Sequence, residues 1–187
     1  KVVAAHTLPA NVKALAVAES NDGSRIYVAA ESVSGNQADP RRLLVLEKGS
    51  LATIKTEASL PNSGGSDVAL AVLPAPDNRL LALVGGKDLL IWDTTLDSAF
   101  PQPNPTSVAL GTSLRNLAVS IDGKHAYSLD ATNRKMIVTD IAGSTAFPTA
   151  GTPILLPPLS HEPFALAVDP SASWAFVIEE EGEDALV

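Results

Sequence analysis

The tripeptide Leu-Ala-Val occurs four times, at residues 15–17, 70–72, 117–119 and 166–168. Successive copies start 55, 47 and 49 residues apart. One such match means little. Four at near-constant spacing, each continued by the same pattern, mark a tandem repeat, in which one supersecondary unit buries its apolar face against the next.

The continuation of each copy defines the unit. A turn follows, built on Asn21-Asp22-Gly23, Asp77-Asn78, Asp122-Gly123 and Asp169-Pro170. Asp and Asn bond their own backbone in turns, and Gly supplies positive φ. Second apolar stretches run over 25–29, 80–84, 125–129 and 174–178; third stretches, at 43–47, 89–93 and 136–140, end in Glu47, Asp93 and Asp140. Fourth, more polar stretches lie at 52–60, 107–111 and 153–156. All are short, with no sustained period of 3.6 residues, so they read as strands and almost no helix is expected.

Four strands in about 47 residues match the blade of a β-propeller. The expected fold is therefore all-β, with four-stranded antiparallel blades at 12–60, 67–111 and 114–157, a partial blade at 163–187 and an outer strand at 1–9. The first strand of each blade should line the crowded centre, buried on both faces. The partial blade reads as a segment of a larger ring, of ~330 residues if seven-bladed. The alternative is a four-bladed ring closed by residues 2–8. A β-sandwich is the rival architecture, but sandwiches lack a fixed long period. The first residue is Lys1, without a signal-peptide pattern, which suggests a processed product or a segment of something longer.

The turn and second strand also resemble the bacterial YVTN propeller repeat, in which Asp-Gly leads into Tyr-Val-Thr-Asn and then to an apolar strand ending in Asp. Asp122-Gly123-Lys124-His125-Ala126-Tyr127-Ser128-Leu129-Asp130 is similar, as is Asp22-Gly23-Ser24-Arg25-Ile26-Tyr27-Val28. Ala29-Ala30 stand where Thr-Asn would. The resemblance implies an extracytoplasmic location (periplasmic, secreted or cell-surface). It points to relatives among surface-layer propellers, lactone-hydrolysing enzymes and the propeller subunits of redox or haem enzymes.

In such a fold the loops entering each first strand share one face with the turns between second and third strands. This face receives Asn11, Lys13, Ser66, Asp67, Arg115, Asn116, His161 and Glu162, a ring of polar groups at the channel mouth. His161 beside Glu162 is the one acid–base or ligand candidate. The connection at 31–42 is the longest of its kind and adds Asn36, Asp39, Arg41 and Arg42 to the same face. Glu180, Glu181, Glu183 and Asp184 form an acidic loop with the donor type that calcium takes. The recurrent Asp22, Asp77, Asp122 and Asp169 are turn formers on the opposite face.

Composition narrows the function classes. Net charge −8 argues against nucleic acid, since phosphate neutralisation needs clustered Lys and Arg, and the only basic pairs, Arg41-Arg42 and Arg134-Lys135, both read as loop residues. There is no cysteine, hence no disulfide, thiolate site or thiol nucleophile. No apolar run nears the ~20 residues of a membrane helix. Catalytic motifs such as Gly-x-Ser-x-Gly or His-Glu-x-x-His are missing. The expectation is a non-catalytic module that binds a protein or saccharide, with no required cofactor, and that pairs further blades or another chain along open edges. A lactonase-like hydrolase with a divalent cation, or a redox propeller subunit, is the alternative.

Overall fold

Each turn after a Leu-Ala-Val closes a hairpin, and successive hairpins complete one sheet before the chain moves to the next. A computed structural model describes residues 7–8, 10–33, 41–48, 54–61, 67–94, 105–111, 113–142, 149–151, 153–158, 161–169, 174–179 and 185–186. The first sheet contains β1 (Val12–Glu19), β2 (Arg25–Ser32), β3 (Arg41–Glu47) and β4 (Ile54–Leu60), hydrogen-bonded in that order. The second contains β5 (Val68–Val72), β6 (Arg79–Val84), β7 (Asp88–Asp93) and β8 (Thr106–Ala109). In the third, β9 (Leu114–Val119), β10 (His125–Asp130) and β11 (Lys135–Asp140) are followed by two short pieces, β12 (Thr149–Ala150) and β13 (Ile154–Leu155), both paired with β11. The fourth is β14 (Pro163–Val168), β15 (Ala175–Glu179) and β16 (Ala185–Leu186). All pairings are antiparallel, and the described residues include no helix.

The sheets pack face to face in series. Alternate residues of a strand point to opposite faces, so the second strand of a sheet that lies between two others serves two cores. In β6, Leu80, Ala82 and Val84 meet Tyr27, Ala29, Leu43 and Val45 of the first sheet, while Leu81 faces Ala126 and Leu83 faces Leu114 and Ile137 of the third. Leu129 and Met136 of the third sheet then meet Val177 of the fourth. This serial arrangement excludes the two-layer sandwich. Leu8 packs with Val12 and Ile26 over Val28, Ala30, Leu44 and Leu46 on the outer face of the first sheet.

Two expectations need correction. The first strands were expected to be buried on both faces, yet β1, β5, β9 and β14 are mostly half-buried and Val17 is 67% exposed. Each is the edge strand of its sheet and leans on the first strand of the next, in the sequence β1, β5, β9, β14. No such packing joins β14 to β1 among the described residues, so the inner row keeps a solvated side. Burial peaks instead in the second and third strands of the first three sheets, whose two faces are both covered. Arg41-Arg42 belongs to β3 and Lys135 to β11, because the cross-strand ladders extend to them.

The third sheet carries two buried hydroxyls, on Ser128 and Thr139, with no hydrogen-bond partner. The repeat places Val28, Ala82 and Val177 where Ser128 stands. An unpaired buried hydroxyl costs desolvation without return. We therefore expect Ser128→Ala and Thr139→Val each to raise stability by about 1 kcal/mol, whereas Leu83→Ala should lower it by about 2–5 kcal/mol. Urea unfolding checks all three, and a loss of stability in Ser128→Ala would refute the assignment.

Candidate functional site

Strand direction sorts polar side chains to two ends of the sheets. One end gathers the starts of the first strands and the ends of the second. There, Arg115 near the start of β9 lies between carboxylates from the flanking sheets: Nε is 3.9 Å from Asp67 Oδ2 and Nη2 is 3.5 Å from Glu162 Oε2. All three side chains are solvated, Arg115 at 33% and the two acids at about half exposure. On the first sheet Glu31 lies 3.6 Å from Lys13 Nζ and 3.7 Å from Arg41 Nε. Arg41 is buried at 8% exposure, with Nη1 lacking a hydrogen-bond partner, whereas Arg42 is exposed.

Backbone irregularity marks this end. The first strands of the first, third and fourth sheets each shift register near their starts, a bulge that re-aims side chains. Asn116 sits in the third-sheet bulge at φ 57°, and its amide donates to the Phe164 carbonyl of the fourth sheet. Asn11 adopts φ 65°, and its carbonyl accepts from Val33 N at 2.7 Å. Gly86, at φ 62°, lets the backbone approach closely enough that Leu114 N donates to its carbonyl at 2.8 Å. An added Cβ there would lie 3.0 Å from the Leu114 carbonyl oxygen.

The residues named from sequence are therefore partly assembled and partly redirected. Asp67, Arg115 and Glu162 come together. His161 does not join them: its Nδ1 lies 3.4 Å from Glu179 Oε2, and its backbone N–H donates to the same oxygen at 2.8 Å. His161 thus pairs with Glu179, and Glu162 with Arg115. Glu31 and Glu179 were missed as partners, although the acids closing the second strands (Glu31, Asp130, Glu179) carried the signal. Ser66, Asn36, Asp39, Glu180, Glu181, Glu183 and Asp184 lie outside the described residues. Among the described residues no three His, Asp or Glu side chains are grouped to hold a metal ion.

The opposite end is more tightly bonded. Asp22 Oδ1 accepts from Ser20 Oγ at 2.6 Å and from Ser24 N at 3.0 Å, while Arg25 N donates to Ser20 Oγ at 2.9 Å. The third sheet repeats this lattice: Ser120 Oγ to Asp122 Oδ1 is 2.6 Å, Lys124 N to Asp122 Oδ1 is 3.0 Å and His125 N to Ser120 Oγ is 3.0 Å. Ser20 and Ser120, two residues before each Asp-Gly, were overlooked in the sequence. The Ser20 hydroxyl, then the Ser24 backbone N–H and hydroxyl, lower the Asp22 carboxyl to about 2. Asp122 is lowered likewise, first by the Ser120 hydroxyl. Burial, with the Asp122 charge as a smaller contribution, raises the Tyr127 phenol.

Arginines at this end tie neighbouring sheets. Arg79 Nη2 donates to the Ile141 carbonyl at 2.8 Å, and Arg25 Nη1 reaches the Thr94 carbonyl at 3.5 Å. Between the first two sheets lies a cavity of about 210 Å³ lined by Asp22, Arg25, Tyr27, Val72, Asn78 and Thr94, among others. Its polar groups are committed to one another. Asn21 Nδ2 donates to the Leu73 carbonyl at 2.5 Å, and Thr94 Oγ1 donates to the Asn78 carbonyl. This end serves cohesion between sheets.

Neither a protein-family model nor a curated protein matches the chain. Solved structures do. A functionally unknown protein from Desulfotomaculum acetoxidans matches with TM-score 0.69 at 13% identity, over 89% of this chain and 49% of its own. The Cps50 (Swd1) β-propeller domain of Myceliophteria thermophila matches with TM-score 0.63 at 11% identity, over 91% and 52%. The fold is a β-propeller. A third match is the periplasmic gluconolactonase of Pseudomonas aeruginosa, with TM-score 0.59 at 18% identity, over 87% and 49%. The chain spans about half the length of these propellers, and identities this low establish fold alone.

In propeller terms the Arg115 cluster lies at the mouth end of the blades and the Asp-Gly turns at the far end. Exposed ion pairs contribute little to stability, so Arg115→Ala should cost less than about 1 kcal/mol, and raising the salt concentration should shrink that cost. A larger, salt-independent loss in urea unfolding would mark the cluster as structural. At the far end, Asp22 has a folded value below its ordinary 3.8, so its stabilising effect is complete above that value and disappears as pH falls through about 2. The side-chain carboxyl carbon of Asp22, followed by NMR, should titrate with a midpoint near 2, and a midpoint near 4 would contradict the Ser20–Asp22–Ser24 lattice.

Proposed function

We propose that this chain is a non-catalytic binding module, working outside the cytoplasm, whose recognition face is the mouth end of its blades. The partner is a protein or a saccharide. The observation that carries this reading is the Arg115 cluster: three charged side chains from three consecutive blades, held in shared ion pairs yet solvated. Such groups exchange water for a partner's polar groups at small internal cost. A hydrolase needs a nucleophile or activated water beside a base of matched pKa. His161, the expected base, is instead turned to Glu179. The YVTN resemblance supports an extracytoplasmic location, as does the occurrence of the fold in a periplasmic gluconolactonase.

The test pairs binding with turnover. The protein is immobilised and titrated with a panel of soluble saccharides and with candidate extracytoplasmic proteins, and δ-lactone hydrolysis is assayed with calcium and with excess chelator. The expected result is no hydrolysis above background and a partner whose affinity falls at least about tenfold in Arg115→Glu. Calcium-dependent lactone hydrolysis that His161→Ala abolishes would replace the binding reading with the enzymatic one.

A further inference from the structure

One buried polar group between the first two blades has no partner. Arg41 is 8% exposed, and its Nη1 is enclosed without a hydrogen bond. Alternation along β3 puts Arg41 on the same face as Leu43 and Val45, which pack against the second sheet. The repeat does not impose this burial. Lys87 and Arg134 stand six residues before Asp93 and Asp140, as Arg41 stands before Glu47, and both are exposed. A guanidinium withdrawn from water without a full set of acceptors is costly. Each such orphaned donor in a native fold has a physical reason.

The charged groups beside it are loosely held. Lys13 and Glu31 face each other across β1 and β2. Glu31 Oε1 lies 3.6 Å from Lys13 Nζ and Oε2 lies 3.7 Å from Arg41 Nε, with the Glu31 side chain 31% exposed and that of Lys13 64%. Both separations exceed hydrogen-bond length, so these contacts exchange partners at small cost. Two cations share one carboxylate, which leaves one net positive charge. A single anionic group fits that balance. A doubly charged phosphate exceeds it.

We propose that Arg41, Lys13 and Glu31 form a subsite for the carboxylate of a uronic-acid residue in an acidic saccharide. This rests on the mouth end being the recognition face, and it names the ligand class there. The planar guanidinium donates to both oxygens of a carboxylate, which enters on the side where Lys13 and Glu31 are solvated. Lys13 adds a second cation. Uronates carry hydroxyls beside the carboxylate, and one of these donates to Glu31. In the Asp or Glu side chain of a protein partner a methylene group takes that place, which gives Glu31 nothing to accept.

Methyl glycosides of glucuronic, galacturonic and mannuronic acid are titrated into the protein at low salt, beside their methyl esters, which keep every hydroxyl and lose only the charge. Calorimetry gives the affinity. The Nε–Hε NMR signal of Arg41, assigned by its loss in Arg41→Met, reports the site. At least one uronate should move that signal and bind at least about tenfold more tightly than its ester. Arg41→Met should abolish the preference without lowering the melting temperature, since it removes a buried and incompletely paired charge. Lys13→Met, at an exposed position, should weaken uronate binding about two- to fivefold and keeps the test independent of any effect of Arg41 on folding. Uronates that bind no more tightly than their esters, or that leave the Arg41 signal in place, overturn the proposal. So does a Glu-rich peptide that moves the signal where no uronate does, which would assign the subsite to a protein. In either case a partner whose binding is lost in Arg115→Glu leaves the recognition face standing, and the absence of any such partner removes both.

Discussion

The face-to-face contact of aliphatic strands between successive sheets is the constraint on which everything else rests. Because side chains alternate, Leu80, Ala82 and Val84 of one strand belong to the first interface while Leu81 and Leu83 belong to the second. A sheet of this kind has no solvent face. It is a wall shared by two cores, and its central strands are stable only between neighbours. That requirement explains a chain of 45% hydrophobic residues with 4% aromatics. Leu, Val and Ala fill a thin, repeated gap that bulky rings would wedge apart.

Shared walls leave polar chemistry only at the strand ends, and the two ends are used differently. At the Asp-Gly turns, hydroxyls and backbone N–H groups converge on carboxylates, and Asn21, Arg25 and Arg79 reach across to carbonyls of the next sheet. Those directional bonds lock the angle between blades. At the mouth end Leu114 N and the Asn116 amide also bridge sheets, but the charged side chains there include long, solvated ion pairs, such as Arg115 with Asp67 and Glu162. At the Asp-Gly end the polar groups bond one another. The mouth end keeps charged side chains in solvent, which is why it is the face proposed for recognition.

Much of the fold was legible because period-2 burial and turn chemistry are local. The apolar stretches became β2, β3, β6, β7, β10 and β11, and Asp22 and Asp122 cap their own turns through neighbours two residues away. Legibility failed where a residue's environment depended on a distant segment. Arg41-Arg42 looked like loop, but β2 and β4 flank it in the sheet. His161 was paired with adjacent Glu162, whereas the chain reversal through β14 and β15 brings Glu179 to it.

The amino-acid order by itself determined the repeat, the four-strand unit, the positions of the turns and the end of the sheets to which Asp67, Arg115 and Glu162 belong. These follow from spacing and backbone preference, which act over a few residues. Only the tertiary structure decided how deeply the Leu-Ala-Val strands are buried, which carboxylates share Arg115, and that Arg41 is buried. Those outcomes depend on what lies across an interface, and alternation within a strand cannot reveal whether a neighbour is there.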